Sequence, residues 1–283
     1  MRTDNNDRFP VGDMQMTYLI GRLDGMEMGG DPIRAYSELR CSDYDHEKFK
    51  KAVDMLVESN EMLRCAIYQD GTQEIIDCGI EEIKLNKLNI TEKEAKDYIE
   101  KKRCEIFSVS FDLEKPPLIY FEVTLFSDNT AIIHMYHDGI IADGWSHEML
   151  ICELDEFYCG NRNEPIKLSY SYRNYVEDIN KRKNSEKYAE CKKFWLDQIK
   201  TFPEAPDLRS RNTPEKLTET SRQITRSFSK DEYESLKKMV FQDICHHLQF
   251  FLQHTAKLYQ NTAVKIHFCL IYLWQHEIRK CRI

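Results

Sequence analysis

The sequence predicts a mixed α/β fold, and three features predict it. Apolar residues recur at helical spacing in 45–60 and 145–157. Two apolar, partly alternating runs, 118–126 and 131–137, are joined by a turn-prone Ser127-Asp128-Asn129. An Asp70-Gly71 pair, a strong hairpin signal, separates two further short runs.

In chain order, Phe49, Val53, Leu56 and Val57 share one face of a predicted helix between Asp45 and Asn60. Leu63–Tyr68 and Thr72–Ile76 flank Gln69-Asp70-Gly71 and form a β-hairpin. Thr91–Arg103 reads as a second helix, and 118–126 and 131–137 pair as antiparallel strands. Helical spacing returns at Trp145, Met149, Leu150, Leu154 and Phe157, with Ser146 placed near the start to cap free amides. The 283 residues suffice for one large core or two smaller ones, and a two-lobed globular protein is expected.

Composition excludes several function classes. With 40 basic and 48 acidic residues the chain carries a net charge of -8, which argues against a nucleic-acid partner. The longest apolar run is the seven residues Phe268–Trp274, too short to span a bilayer, and the N-terminus is too polar for a signal peptide. A cytoplasmic protein with no membrane partner is therefore expected. Ten scattered cysteines without a paired Cys-x-x-Cys spacing read as reduced, mostly buried thiols.

The C-terminal part differs in kind. All ten glycines lie at or before Gly160, so the region beyond is expected to be largely helical. Residues 240–283 hold five of the nine histidines and five basic against two acidic residues. The polar stretch Arg209–Thr220 marks a soft boundary. The expected organisation is a lobe over 1–208, a connection over 209–239 and an anomalous tail over 240–283.

The most informative segment is His134-Met135-Tyr136-His137-Asp138-Gly139-Ile140-Ile141-Ala142-Asp143-Gly144-Trp145-Ser146, where a strand runs through a loop into a helix. Two carboxylates five positions apart flank a small apolar segment at a helix N-terminus, which favours negative charge. They can hold charged groups in a fixed geometry. Equally, Asp138 can end the strand while Asp143 caps the helix or pairs with a buried arginine.

At these residues the sequence resembles the condensation-domain superfamily of nonribosomal peptide synthetases, and within it the heterocyclization domains. Asp138, Asp143 and Ser146 match DxxxxDxxS at all three positions, whereas alignment to the ordinary HHxxxDG motif puts Asp138 and Gly139 where two histidines stand. Four more segments are similar to family motifs in order and spacing. They are Phe9-Pro10 with Gln15, Tyr18, Gly21 and Arg22; Met62-Leu63-Arg64 with Asp70-Gly71-Thr72-Gln73; Tyr172-Arg173-Asn174-Tyr175; and Phe194-Trp195 with Pro203, Pro206 and Leu208. The resemblance covers roughly residues 9–239.

It implies a chloramphenicol-acetyltransferase-like α/β lobe, a mixed sheet with flanking helices, truncated before the second lobe. It also implies joining an acyl or aminoacyl thioester to cysteine, serine or threonine on a carrier protein, then cyclodehydration to a thiazoline or oxazoline, as in siderophore or other peptide natural-product biosynthesis. The implied partners are upstream and downstream peptidyl carrier proteins and other synthetase domains. Phosphopantetheine belongs to the carriers, and no cofactor is bound by the domain itself.

By motif, Asp138, Asp143 and Ser146 are the catalytic candidates. Because an aspartate beside an arginine is a poor base at neutral pH, Asp143 is expected to be structural, an ion-pair partner of Arg64, and Asp143→Ala to unfold the lobe. His137 is a weaker catalytic alternative to a strand-end histidine satisfied by backbone. His134, His137 and Asp138, or Cys245-His246-His247, are the weak metal-like groupings, and no metal site is expected. Tyr170, Tyr172 and Tyr175 are either a contact surface or ordinary packing.

Family domains are longer and have two lobes, so this chain is expected to supply the N-terminal lobe only. With permitted codons chosen for Gln249–Leu258 and the first two bases of Tyr259, reading from the third base can give Val-Leu-Leu-Thr-Ala-Tyr-Ser-Lys-Val-Ile, which resembles the helix entering the second lobe. A frameshift between Leu236 and Gln249 is therefore expected. The isolated chain is then expected to be inactive, and the competing readings are an inactive remnant or a noncatalytic carrier-binding lobe. An amide-forming condensation domain or free acyltransferase is disfavoured because no histidine occupies the second-histidine position.

Overall fold

In the computed structural model, the described residues are 8–23, 32–107, 109–202 and 229–242. The chain divides into two compact units, residues 1–182 and 183–283. The stretch 203–228 and everything beyond 242, including the Cys245-His246-His247 grouping and nearly all of the expected tail, lie outside the described residues.

The first unit holds two sheets. One orders its strands β1 (Phe9–Pro10), β4 (Thr72–Ile75) and β3 (Cys65–Ile67), all antiparallel. The other orders them β2 (Arg34–Cys41), β7 (Ala131–Asp138), β6 (Ile119–Leu125) and β5 (Lys84–Lys87). In it only β5 and β6 run parallel. The expected hairpin is β3–β4, and Gly71 takes φ +79° at its turn, a backbone that side chains disfavour. The two apolar runs form β6 and β7.

Helix α1 (Asp13–Gly21) precedes β2, and α2 (His46–Ser59) follows it. Asp45 caps α2 by accepting from the Lys48 amide at 3.0 Å, and the buried face carries Phe49, Ala52, Val53, Leu56 and Val57. Helix α3 (Lys96–Phe107) begins five residues later than the sequence suggests, because Glu94 folds back on the Thr91 amide at 2.9 Å and closes a turn there. Helix α4 (Gly144–Cys159) buries Leu150, Leu154 and Phe157, while Trp145 and Met149 of the expected apolar stripe are 79% and 53% exposed. His147 takes the inward place in the first turn instead. Gly160, in the left-handed region, ends the helix.

The main core packs α2 and α4 on one face of the second sheet, around Phe49, Leu56, Leu63, Phe121, Met135 and Leu154. Helix α5 (Tyr172–Arg182) completes this unit. The second unit's described helices are α6 (Glu186–Ile199) and α7 (Lys230–Gln242), the latter running across residue 240. Of the seven described cysteines all are free thiols but only Cys65 is buried, so the expectation of mostly buried thiols does not hold. No described helix is long and apolar enough to cross a membrane.

Candidate functional site

Strand β7 ends at Asp138 and α4 begins at Gly144, so the motif occupies the loop between them. The two aspartates meet opposite environments. Asp138 is 1% exposed, and its Oδ1 receives both the Arg22 guanidinium and the Ile140 amide, the latter at 2.9 Å. Asp143 is exposed and is the N-cap of α4, accepting from the Ser146 amide at 2.8 Å. Hydrogen bonds from the Ser146 amide and hydroxyl hold its carboxyl below the usual aspartate range.

The expected Asp143–Arg64 ion pair is absent. Arg64 instead donates through Nε to the Val57 carbonyl at 3.1 Å and through Nη2 to the Glu58 carbonyl at 3.5 Å, capping the end of α2. The cation in the site is Arg22, and it serves Asp138. The expectation that Asp143→Ala unfolds the lobe is revised with it. Loss of one helix cap costs about 1 kcal/mol, measurable as a small shift in a urea midpoint.

Residues far apart in sequence converge beneath this loop. Gln15 Nε2 donates to the Gln73 side-chain carbonyl at 3.0 Å and to the Ile140 carbonyl at 3.3 Å. Tyr172 donates its hydroxyl to Gln15 Oε1 at 3.2 Å. Gln15 from α1, Arg22 at its C-cap, Gln73 from the hairpin and Tyr172 from α5 thus all act on residues 138–140, directly or through Gln15. A cavity of about 200 Å³ opens alongside, its apolar wall built from Met62, Ile141 and Met149 and its polar edge from Asn60, Ser146 and Glu153.

His137 is fully buried, with Nδ1 2.9 Å from the Asp138 carbonyl oxygen and Nε2 2.9 Å from His147 Nδ1. His147 Nε2 lies 2.7 Å from Ser37 Oγ. Burial lowers the pKa of both histidines. His134 faces the other side of the sheet, against Tyr36 at 2.7 Å and Thr124 at 3.2 Å, so His134 and His137 do not converge on a common point. Tyr170 and Tyr175 are about half exposed, whereas Tyr172 is turned inward.

Gly139 stands where the ordinary motif carries its second histidine. Its amide donates to the Ile33 carbonyl at 2.8 Å, and a Cβ built on it would meet Ile33 Cγ2 at 2.8 Å and that carbonyl oxygen at 3.0 Å. A side chain at this position would require Ile33 to shift by a few tenths of an ångström.

Sequence reasoning assigned no role to Ser37 or His147. Ser37 reaches its partner only because β2 pairs with β7 in a register that sets it opposite Met135, and no short motif encodes such a pairing. Arg22 was visible as part of the N-terminal signature, but not as the partner of Asp138.

Comparison with known proteins agrees with this architecture. The family model for the condensation domain matches residues 36–256. Bacitracin synthase 1 of Bacillus licheniformis is 27% identical over 217 residues, 75% of this chain and 4% of that protein. Phenyloxazoline synthase MbtB of Mycobacterium tuberculosis is 24% identical over 213 residues, 74% of this chain and 15% of that protein. The chain thus spans a small fraction of these relatives' length. Among solved structures, the EpoB NRPS cyclization-docking bidomain from Sorangium cellulosum superposes in its rhombohedral form with a TM-score of 0.70 at 25% identity. That match covers 82% of this chain and 47% of that one. With the family model spanning well over half of its residues and the motif loop held between β7 and α4, the chain belongs to the condensation-domain family.

Proposed function

We propose that the chain is the N-terminal lobe of a heterocyclization domain of a nonribosomal peptide synthetase. The observation that carries this reading is the Asp138-Gly139 backbone. Gly139 lies close against Ile33 where amide-forming members carry a histidine, while Asp138, Asp143 and Ser146 complete the alternative motif. The name of one relative, phenyloxazoline synthase, fits the same chemistry.

In the proposed reaction the amine of a carrier-bound cysteine, serine or threonine attacks an upstream acyl thioester. A carbon–nitrogen bond forms and the phosphopantetheine thiolate leaves. The side-chain thiol or hydroxyl then adds to the new amide carbon, whose oxygen departs as water to leave a thiazoline or oxazoline. Upstream and downstream carrier proteins are the partners, and their phosphopantetheine arms present the substrates. Within this lobe Asp138, clamped by Arg22, fixes the loop, and Asp143 with Ser146 fixes the start of α4. Neither carboxylate is placed as a free base.

The test is reconstitution. The chain, a separately supplied second lobe and two loaded carriers are combined, and the released product is weighed by mass spectrometry. Loss of one water from the linear amide is expected. A linear amide alone would place the chain with amide-forming domains, and no new bond would favour a noncatalytic carrier-binding lobe.

A further inference from the structure

We propose that Ser37, His147 and His137 form a proton-holding chain in which His147 takes up and returns the proton and Ser37 is its outlet. The assignment follows from which atoms can donate. The chain ends at the Asp138 carbonyl, which only accepts, so His137 carries its hydrogen on Nδ1. A neutral His137 then accepts at Nε2, which fixes the hydrogen of His147 on Nδ1. His147 Nε2 is left to accept from the Ser37 hydroxyl, 2.7 Å away.

The two rings differ in what a proton does to them. His147 can gain one at Nε2 with no movement of heavy atoms, because the Ser37 hydroxyl rotates from donor to acceptor. Its Nδ1–H continues to donate to His137. A proton on His137 Nε2 would require that of His147 to move from Nδ1 to Nε2, and it would put the charge on the ring that is 0% exposed instead of the one that is 7% exposed. The shallower ring, His147, is therefore the one that charges.

The surroundings agree. The charged groups acting on the pair are Asp138 from β7 and Glu148 from α4, both of which favour the cation, while burial opposes it. On β2, the strand that supplies Ser37, the neighbouring ionisable residues Tyr36 and Glu38 bond toward His134 and Arg103 on the other face. Ser37 is partly buried whereas both rings are buried, so the less buried end of the chain is at Ser37. The inference rests on the proposed heterocyclization, whose proton transfers call for a group that can take up and return a proton.

The test is a titration of the full chain with ¹⁵N-labelled histidine, following ring nitrogens from pH 8 to pH 5 in native, Ser37→Ala and Ser37→Thr proteins. At pH 8 both rings carry hydrogen on Nδ1. On acidification His147 gains a proton at Nε2 while His137 stays neutral. Ser37→Ala lowers the His147 midpoint without moving that of His134, and Ser37→Thr restores it. A His147 hydrogen on Nε2 at pH 8, a His137 that charges first, or a midpoint indifferent to Ser37→Ala overturns the proposal. Because this readout needs no substrate, its failure leaves the heterocyclization reading standing. An inactive reconstitution with the expected titration refutes that reading alone.

Discussion

Strand β7 carries histidines three residues apart, and the two faces of its sheet treat them differently. On the α3 face, His134 lies among charges: Glu38 is bound by Arg103, and buried Glu122 accepts from Lys102 at 2.9 Å and from Tyr120 at 2.6 Å. On the α4 face, His137 meets only another imidazole, a carbonyl and, through His147, a hydroxyl. Both faces satisfy their polar atoms, one with ion pairs and one with neutral hydrogen bonds. The first commits charge permanently, whereas the second leaves a proton position open. That difference is what the proposed proton-holding chain on the α4 face exploits.

Substitutions can sharpen this contrast, and the largest effect belongs to the ionic face. Lys102→Met removes the cation nearest a carboxylate that is 3% exposed, and should cost about 3 kcal/mol in urea unfolding because the charge left behind is buried. A loss near zero would mean that Lys84, at 3.8 Å from Glu122, replaces it. On the neutral face His147→Leu leaves His137 Nε2 and Ser37 Oγ without their partner, and a smaller loss of about 1–2 kcal/mol is expected. If the two losses are equal, the neutral chain is as tightly committed as the ionic one.

The smallest effect is the dependence on pH. Burial lowers the pKa of His134, His137 and His147 below the ordinary value of 6.5. The unfolded chain therefore binds protons that the folded chain refuses, and stability falls as pH drops below about 6.5. A urea midpoint lower at pH 5.5 than at pH 7.5 is expected, and one that rises on acidification would show that these rings are charged in the fold.

Local pattern made much of the fold legible. The α2 stripe, the Asp70-Gly71 turn and the alternation in β6 and β7 each depend on neighbours in sequence, and each element formed. The motif loop was legible too, because its residues sit within nine positions. What escaped depends on long-range pairing. Arg22 and Asp138 are 116 residues apart, and Ser37 and His147 are 110 apart, so spacing carries no trace of either contact. Arg64 was the expected cation because it adjoins the Asp70-Gly71 hairpin, but it also follows α2 closely and caps the α2 carbonyls instead.

The buried aspartate of the motif anchors the loop through its ion pair with Arg22. A double-mutant cycle of Arg22→Met and Asp138→Asn, read by urea denaturation of the full chain, tests it most directly. Coupling of at least about 2 kcal/mol is expected for a buried ion pair. Single losses that simply add, within about 0.5 kcal/mol, would contradict it.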